Sequence, residues 1–193
     1  MKHLALIVLL ALVAPAAFAI QTAPDDAIEN DRTWLAEQRR MNQRFVELFR
    51  ERRYEEGEEL ARSLLLRAEE NYGYDSTELL APLINLATVQ RVQRRYSDAL
   101  FHYERHIAIA GRSLGYDALE LVNPLHGMAR THIRMGDYEA AIEPLARALR
   151  ITHANSGIYS LEQGATRDLL SDLALAEGDL EQANLHQRVQ VRA

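Results

Sequence analysis

The stretch Arg94-Arg95-Tyr96-Ser97-Asp98-Ala99 returns 42 residues later as Gly136-Asp137-Tyr138-Glu139-Ala140-Ala141, and once more as Gly178-Asp179-Leu180-Glu181-Gln182-Ala183. Working outward, the same interval relates Tyr54 to Tyr96 and Tyr138, and Gly73 to Gly115 and Gly157. It also relates Glu78 to Glu120 and Glu162, Asp75 to Asp117, Pro82 to Pro124, and Ala87 to Ala129. A fixed period of this size marks an array of supersecondary units. Each is too small to bury its own apolar face, so neighbours stack and bury it for one another. Such an array displays a long surface and rarely carries chemistry of its own, so the pattern points to binding and leaves the ligand unnamed.

From Asp31 onward Ala, Leu, Arg and Glu dominate, Gly and Pro are sparse, and apolar residues recur at three- and four-residue spacing, which is the helical pattern. The spacing predicts helix pairs Asp31 to Arg53 with Tyr54 to Asn71, Thr77 to Arg94 with Tyr96 to Leu114, Ala118 to Met135 with Tyr138 to Asn155, and Leu161 to Glu177 with Leu180 to Val191. The units then run over about 31–72, 76–114, 118–156 and 160–191, within an array of 31–193. Gly136-Asp137 and Gly178-Asp179 supply a left-handed stop followed by a cap. Arg52-Arg53 and Arg94-Arg95 hold the same places in the first two pairs and predict less sharply specified ends. Gly73, Gly115 and Gly157 close the second helices, and Asp75 and Ser76 cap the next one. Pro82 and Pro124 are expected in the second turn of their helices and Pro144 further in, each removing a donor and bending its helix slightly.

Residues 1–19 read as a cleaved secretory signal. Lys2 and His3 form a short basic start, Leu4 to Val13 is continuously apolar, and Ala17-Phe18-Ala19 offers small residues for cleavage after Ala19. The apolar run falls short of the roughly 20 residues a bilayer span needs. No cysteine follows it, and no later segment is apolar enough to cross a membrane. The expected location is therefore periplasmic or secreted. Residues 20–30 are polar and acidic and read as a linker. With no cysteine at all, the exported chain is held by packing alone. Lys2 is its only lysine, and the net charge of −6 gives no support for nucleic-acid or anionic-membrane binding.

These elements resemble the tetratricopeptide repeat (TPR), in the 42-residue form seen in kinesin light chains and many bacterial proteins. The resemblance rests on Leu86-Ala87 with the Arg94 to Ala99 stretch and Tyr103. It rests equally on Met128-Ala129 with the Gly136 to Ala141 stretch, Leu145 and Ala148, and on Leu170-Ser171 with the Gly178 to Ala183 stretch. It implies an all-α, right-handed α-solenoid of about four helix pairs. Ala87, Ala99, Ala129 and Ala141 are small where helices cross, Tyr96 and Tyr138 fill beside them, and Leu65, Ile107, Leu149 and Val191 form one packing column. The first unit departs most, with Arg44-Phe45 and Gly57. The last carries Gln187 and Gln190 at positions that are Tyr103 or Leu145 and His106 or Ala148 earlier.

The resemblance also implies that the first helix of each pair lines a concave groove. Carried over by position, the groove residues include Arg39, Asn42 and Arg50 in the first unit, Arg91 in the second, and Asn123, His126, Arg130 and Arg134 in the third. Asp168 and Asp172 make it acidic in the fourth. Arginines in this arrangement suit an acidic protein or peptide ligand. Against catalysis, there is no nucleophile motif, phosphate-cradling loop or zinc-protease helix. His102 and His106 share a helix face but lack a third ligand, so neither a metal nor a cofactor is expected. The carboxylate pairs Asp168/Asp172 and Glu55/Glu59 read as solvated faces. The function that follows is an exported adaptor. The alternatives are a spacer or self-association module docking through Leu180 to Ala193, or a shortened form of a longer array; a metal-handling protein stands behind both.

Overall fold

The computed structural model describes residues 25–156, 163–179, 181–183 and 186. Two compact units divide the chain, Met1–Ala36 and Glu37–Ala193, and the packing below belongs to the second. The helices are α1 (Asp25–Arg50), α2 (Tyr54–Tyr72), α3 (Leu80–Val92), α4 (Tyr96–Leu114), α5 (Val122–Met135), α6 (Tyr138–Ser156) and α7 (Gly164–Glu177). No strand occurs among the described residues. Odd-numbered helices are the first of each pair and even-numbered ones the second. The signal, residues 20–24, Gly157, Leu161, Glu162 and most of the stretch from Leu180 to Ala193 lie outside the described residues.

The expected polar linker is corrected at its end, because helix begins at Asp25 rather than Asp31. Acidic Asp25 and Asp26 suit a helix start, where the backbone dipole favours negative charge. Two other boundaries also shift. Thr77–Leu79 and Leu119–Leu121 each form a 3-10 turn, after which α3 and α5 begin. Pro82 and Pro124 thus fall at the third position of α3 and α5, in the first turn, not the second. There the missing N–H is one that a helix start leaves without an intrahelical partner. Pro144 lies inside α6, as its position predicts.

The paired helices meet through their small residues. Ala87 and Ala99 are fully buried with Tyr103, and Ala129 and Ala141 with Leu145, Leu169 and Leu173. The first unit reaches the same end differently. Phe45 replaces the alanine and lies against Gly57, where an added Cβ would stand 3.6 Å from the ring. Between units, Ala110, Leu121, Leu125, Ala148 and Ile151 form one cluster with Leu80 and Ile107 on its border. Each unit therefore borrows apolar partners from the next, as stacked repeats must.

The turns within pairs correct a second expectation. Arg53, Arg95, Asp137 and Asp179 donate to the carbonyls of Leu48, Gln90, His132 and Ala174 at 2.9, 2.8, 3.0 and 2.8 Å. The residue before each donates one turn back, at 3.1–3.2 Å. This is the Schellman stop, four times over. Gly136 and Gly178 occupy its left-handed position at φ 79° and 82°, and Arg52 and Arg94 occupy it at 60° and 63°. The first two turns are as sharply formed as the others, but with a side chain where glycine fits best.

A left-handed non-glycine residue costs about 1–2 kcal/mol, partly offset by the entropy a glycine would lose on folding. Arg94→Gly should therefore stabilise the protein by about 0.5–1 kcal/mol and raise Tm by about 2–4 °C, readable by calorimetry. Gly127 gives the opposite test. A Cβ there would stand well inside contact distance of Tyr103 Cζ and 2.7 Å from its hydroxyl oxygen. Gly127→Ala should destabilise by about 1–3 kcal/mol, as overpacking does. Adding Tyr103→Leu, the residue that unit three carries at Leu145, should recover part of the loss in a denaturant-melt double-mutant cycle.

Candidate protein-binding face

Direct hydrogen bonds tie the first helices to one another. Asn85 Nδ2 on α3 donates to Asn42 Oδ1 on α1 at 2.9 Å, and His126 Nε2 on α5 meets Thr166 Oγ1 on α7 at 2.8 Å. The first helices therefore form adjacent rows of a single layer. Their inner sides bury Phe45, Leu48, Leu86, Leu125 and Leu169. The residues assigned above to the groove differ in exposure. Arg39, Arg50, Asn123, Arg130 and Arg134 are exposed, and Asn42, Arg91 and His126 are half-buried. On α1 the residues Asn42, Gln43, Val46, Glu47 and Arg50 border a shallow hollow of about 410 Å³.

The charges on this face differ from those on the rest of the molecule. On the second helices and the turns that open them, most arginines are engaged. Arg62 and Arg95 both reach Glu58 (2.7 and 2.6 Å), Arg67 grips Glu37 with both terminal nitrogens, and Arg112 reaches Asp75 at 2.7 Å. Arg105 pairs with Glu69, donates to the Tyr74 carbonyl and lies 3.7 Å over the Tyr74 ring. Arg147 repeats the carbonyl contact one unit on, at Tyr116. Arg150 is the exception on these helices. By contrast the side chains of Arg39, Arg50, Arg91, Arg130 and Arg134 form no salt bridge or hydrogen bond among the described residues. The Nε of Arg91 is buried as well as unpaired. Helices α3 and α5 contain no Asp or Glu at all, so nothing on them can neutralise Arg91, Arg130 and Arg134. The guanidinium fork is suited to carboxylates, and on α3 and α5 none is present to occupy it. The acidic character expected in the fourth unit falls on α7, where Asp168 and Asp172 are exposed.

His102 and His106 do not converge on a common point outside the helix. His102 Nδ1 is bound to the Asp98 carbonyl of its own helix at 2.8 Å. His106 is a core residue, 6 % exposed, with Nδ1 3.3 Å from the Leu80 carbonyl. Among the described residues no group of three His, Asp or Glu side chains is arranged to hold a metal ion. No described helix is long and apolar enough to cross a membrane.

Sequence reading missed three features. The double clasp of Glu58 joins residues 37 apart, and the His126–Thr166 bond residues 40 apart; only the fold brings such pairs together. The left-handed Arg52 and Arg94 were signalled by register alone, since both align with glycines.

A layer of stacked helix pairs with a polar exposed side is the architecture of a repeat scaffold. The tetratricopeptide repeat profile matches residues 48–112 and 102–154, together more than half of the chain, and the chain belongs to that family. Two solved structures share the fold. A putative kinesin light chain of Podosopora anserina with nearly identical TPR-like repeats superposes with a TM-score of 0.69 at 18% identity, covering 79% of this chain and 73% of that one. BtubC (BKLC) from P. vanneervenii gives 0.68 at 18% identity, covering 89% and 73%. Comparison with curated proteins gives no match.

Burial lowers the pKa of both His106 and His126 to about 4, with Arg130 adding repulsion at His126. Since the folded values lie below the unfolded one, the unfolded chain takes up more protons between about pH 6.5 and 4. Stability should fall as pH drops through that window, by about 1–2 kcal/mol per histidine between pH 7 and 5. Urea melts at the two pH values should show this, and His106→Leu should flatten the difference.

Proposed function

We propose that this protein is an exported TPR scaffold that acts by binding, holding an acidic segment of a partner protein or peptide against the outer face of its first helices. One observation carries the reading. Helices α3 and α5 present Arg91, Arg130 and Arg134 without a carboxylate on either helix, while arginines elsewhere are mostly matched to acidic partners. A protein that only needed charge for solubility gains nothing from segregating it this way. Asn123 and Asn42 offer amide groups beside the arginines, suited to an extended backbone. Export rests on the basic start, apolar run and Ala17-Phe18-Ala19 of the leader, and places the scaffold in the periplasm or outside the cell.

Capture from the native cell envelope tests the reading, comparing wild type with an Arg91→Glu/Arg130→Glu/Arg134→Glu variant whose thermal midpoint is checked first. The expected result is a partner with an acidic segment that the wild type holds and the variant loses, and whose binding weakens with salt as screening requires. A partner retained equally by both proteins moves the site off this face.

A further inference from the structure

The strained turns of the first two units carry an additional binding element. Arg52 and Arg94 hold the left-handed position at φ 60° and 63°, where the third and fourth units have glycine. Both are exposed, and neither side chain makes a hydrogen bond or salt bridge among the described residues. Their neighbours are the opposite. Arg53 is bound by Glu51 and Glu56, and Arg95 by Glu58 and Asp98. Within each arginine pair, one member fixes the turn and the other is left open to solvent in a conformation that costs stability. Retained strain at an exposed, chemically competent residue is a mark of a functional position.

The two turns lie on one edge of the array. Arg95 Nη1 reaches Glu58 on α2 at 2.6 and 2.7 Å, so the second turn sits beside the start of the helix that the first turn introduces. This edge also continues the binding face. Arg50 and Arg91 occupy the last turns of α1 and α3, two and three residues before Arg52 and Arg94. In the third unit, where glycine takes the left-handed place, Arg134 in the last turn of α5 still supplies a charge. Arg50, Arg52, Arg91, Arg94 and Arg134 thus make a basic strip along one rim over three successive units.

We propose that Arg52 and Arg94 form a second contact strip for the acidic polypeptide held on the first-helix face, which crosses the rim at units one and two. The proposal rests on the face reading above and extends it to residues outside the groove. Charge complementarity sets the occupant, because the unpaired groups of the strip are guanidiniums, which take carboxylates two oxygens at a time, while the intervening Glu51 is held by Arg53.

Two readouts of opposite sign test it. Fluorescence anisotropy with labelled poly-L-glutamate of about 20 residues, long enough to cover face and rim in extended form, measures binding by the full chain at low salt. Arg52→Gly/Arg94→Gly relieves the strain and removes the charge. Arg52→Gln/Arg94→Gln removes the charge and keeps the strain. Both should weaken binding about fivefold, as two exposed ion pairs predict, while only the glycine variant raises Tm. Arg150→Gln, off the face, should bind as wild type. Wild-type affinity in both rim variants overturns the proposal. If Arg91→Gln/Arg130→Gln/Arg134→Gln weakens binding at the same time, the face reading stands without the rim. Weakening by the rim variants and not by the face triple overturns the continuity of strip and face, and absence of poly-L-glutamate binding overturns both.

Discussion

Close approach of two helices within each pair is the constraint on which the rest of the structure depends. Ala87 against Ala99 and Ala129 against Ala141 let the backbones near one another at fully buried positions, and any larger side chain must be compensated across the contact. With the pair fixed, its second apolar side has nowhere to go but the next unit. Leu80, Ile107, Leu121 and Ile151 close that gap. Stacking in turn brings the first helices into one layer and leaves their outer side free. The exposed side of the first helices is thus a consequence of packing, not a separate invention.

Electrostatics divides the same architecture into two economies. Carboxylates on α2 and in the following loops hold arginines from the next unit, as Glu58 holds Arg95, Glu69 holds Arg105 and Asp75 holds Arg112. These pairs link sequence neighbours 36–37 residues apart. Most are partly exposed, so each contributes modestly to stability, but they fix the register of one unit on the next. The first helices take no part in this exchange beyond α1. Their arginines remain available because the acids that would silence them are missing from α3 and α5.

Much of the fold was legible because its signals are local. Tyr96 and Tyr138 begin their helices at the residues that periodicity assigns, and the ends at Leu114 and Met135 also agree. The start of α1 at Asp25 was hidden by polar composition that reads equally as linker or helix cap. The 3-10 turns at Thr77–Leu79 and Leu119–Leu121 share the apolar spacing of the helices they precede, so periodicity could not separate them. For the face, five of the residues assigned by register are exposed, and Asn42, Arg91 and His126 are half-buried. What register could not reveal is pairing. That Arg105 is engaged and Arg134 is not depends on residues far away in sequence, and that Arg94 is left-handed depends on an alignment that looks like a loss of the turn signal.

Departures from the repeat sort into two kinds once the structure is known. Some meet a matching departure across the packing interface. Tyr103, large where unit three has Leu145, faces Gly127, small where unit four has Leu169. Phe45, large where units two and three have alanine and unit four has serine, faces Gly57. In these cases volume moves from one side of a contact to the other and the core stays filled, which is what close packing demands. Other departures meet nothing. Arg52 and Arg94 replace glycine without a compensating partner, and Arg91, Arg130 and Arg134 stand on helices without acids. Compensated departures explain how a repeating sequence varies while preserving one fold. Uncompensated ones carry a cost in strain or repulsion that the folded chain alone does not relieve, and consistency across levels fails in natural proteins mainly where function requires it. Here the uncompensated side chains share one sign of charge, and each stands where the repeat elsewhere has glycine or where its own helix carries no acid.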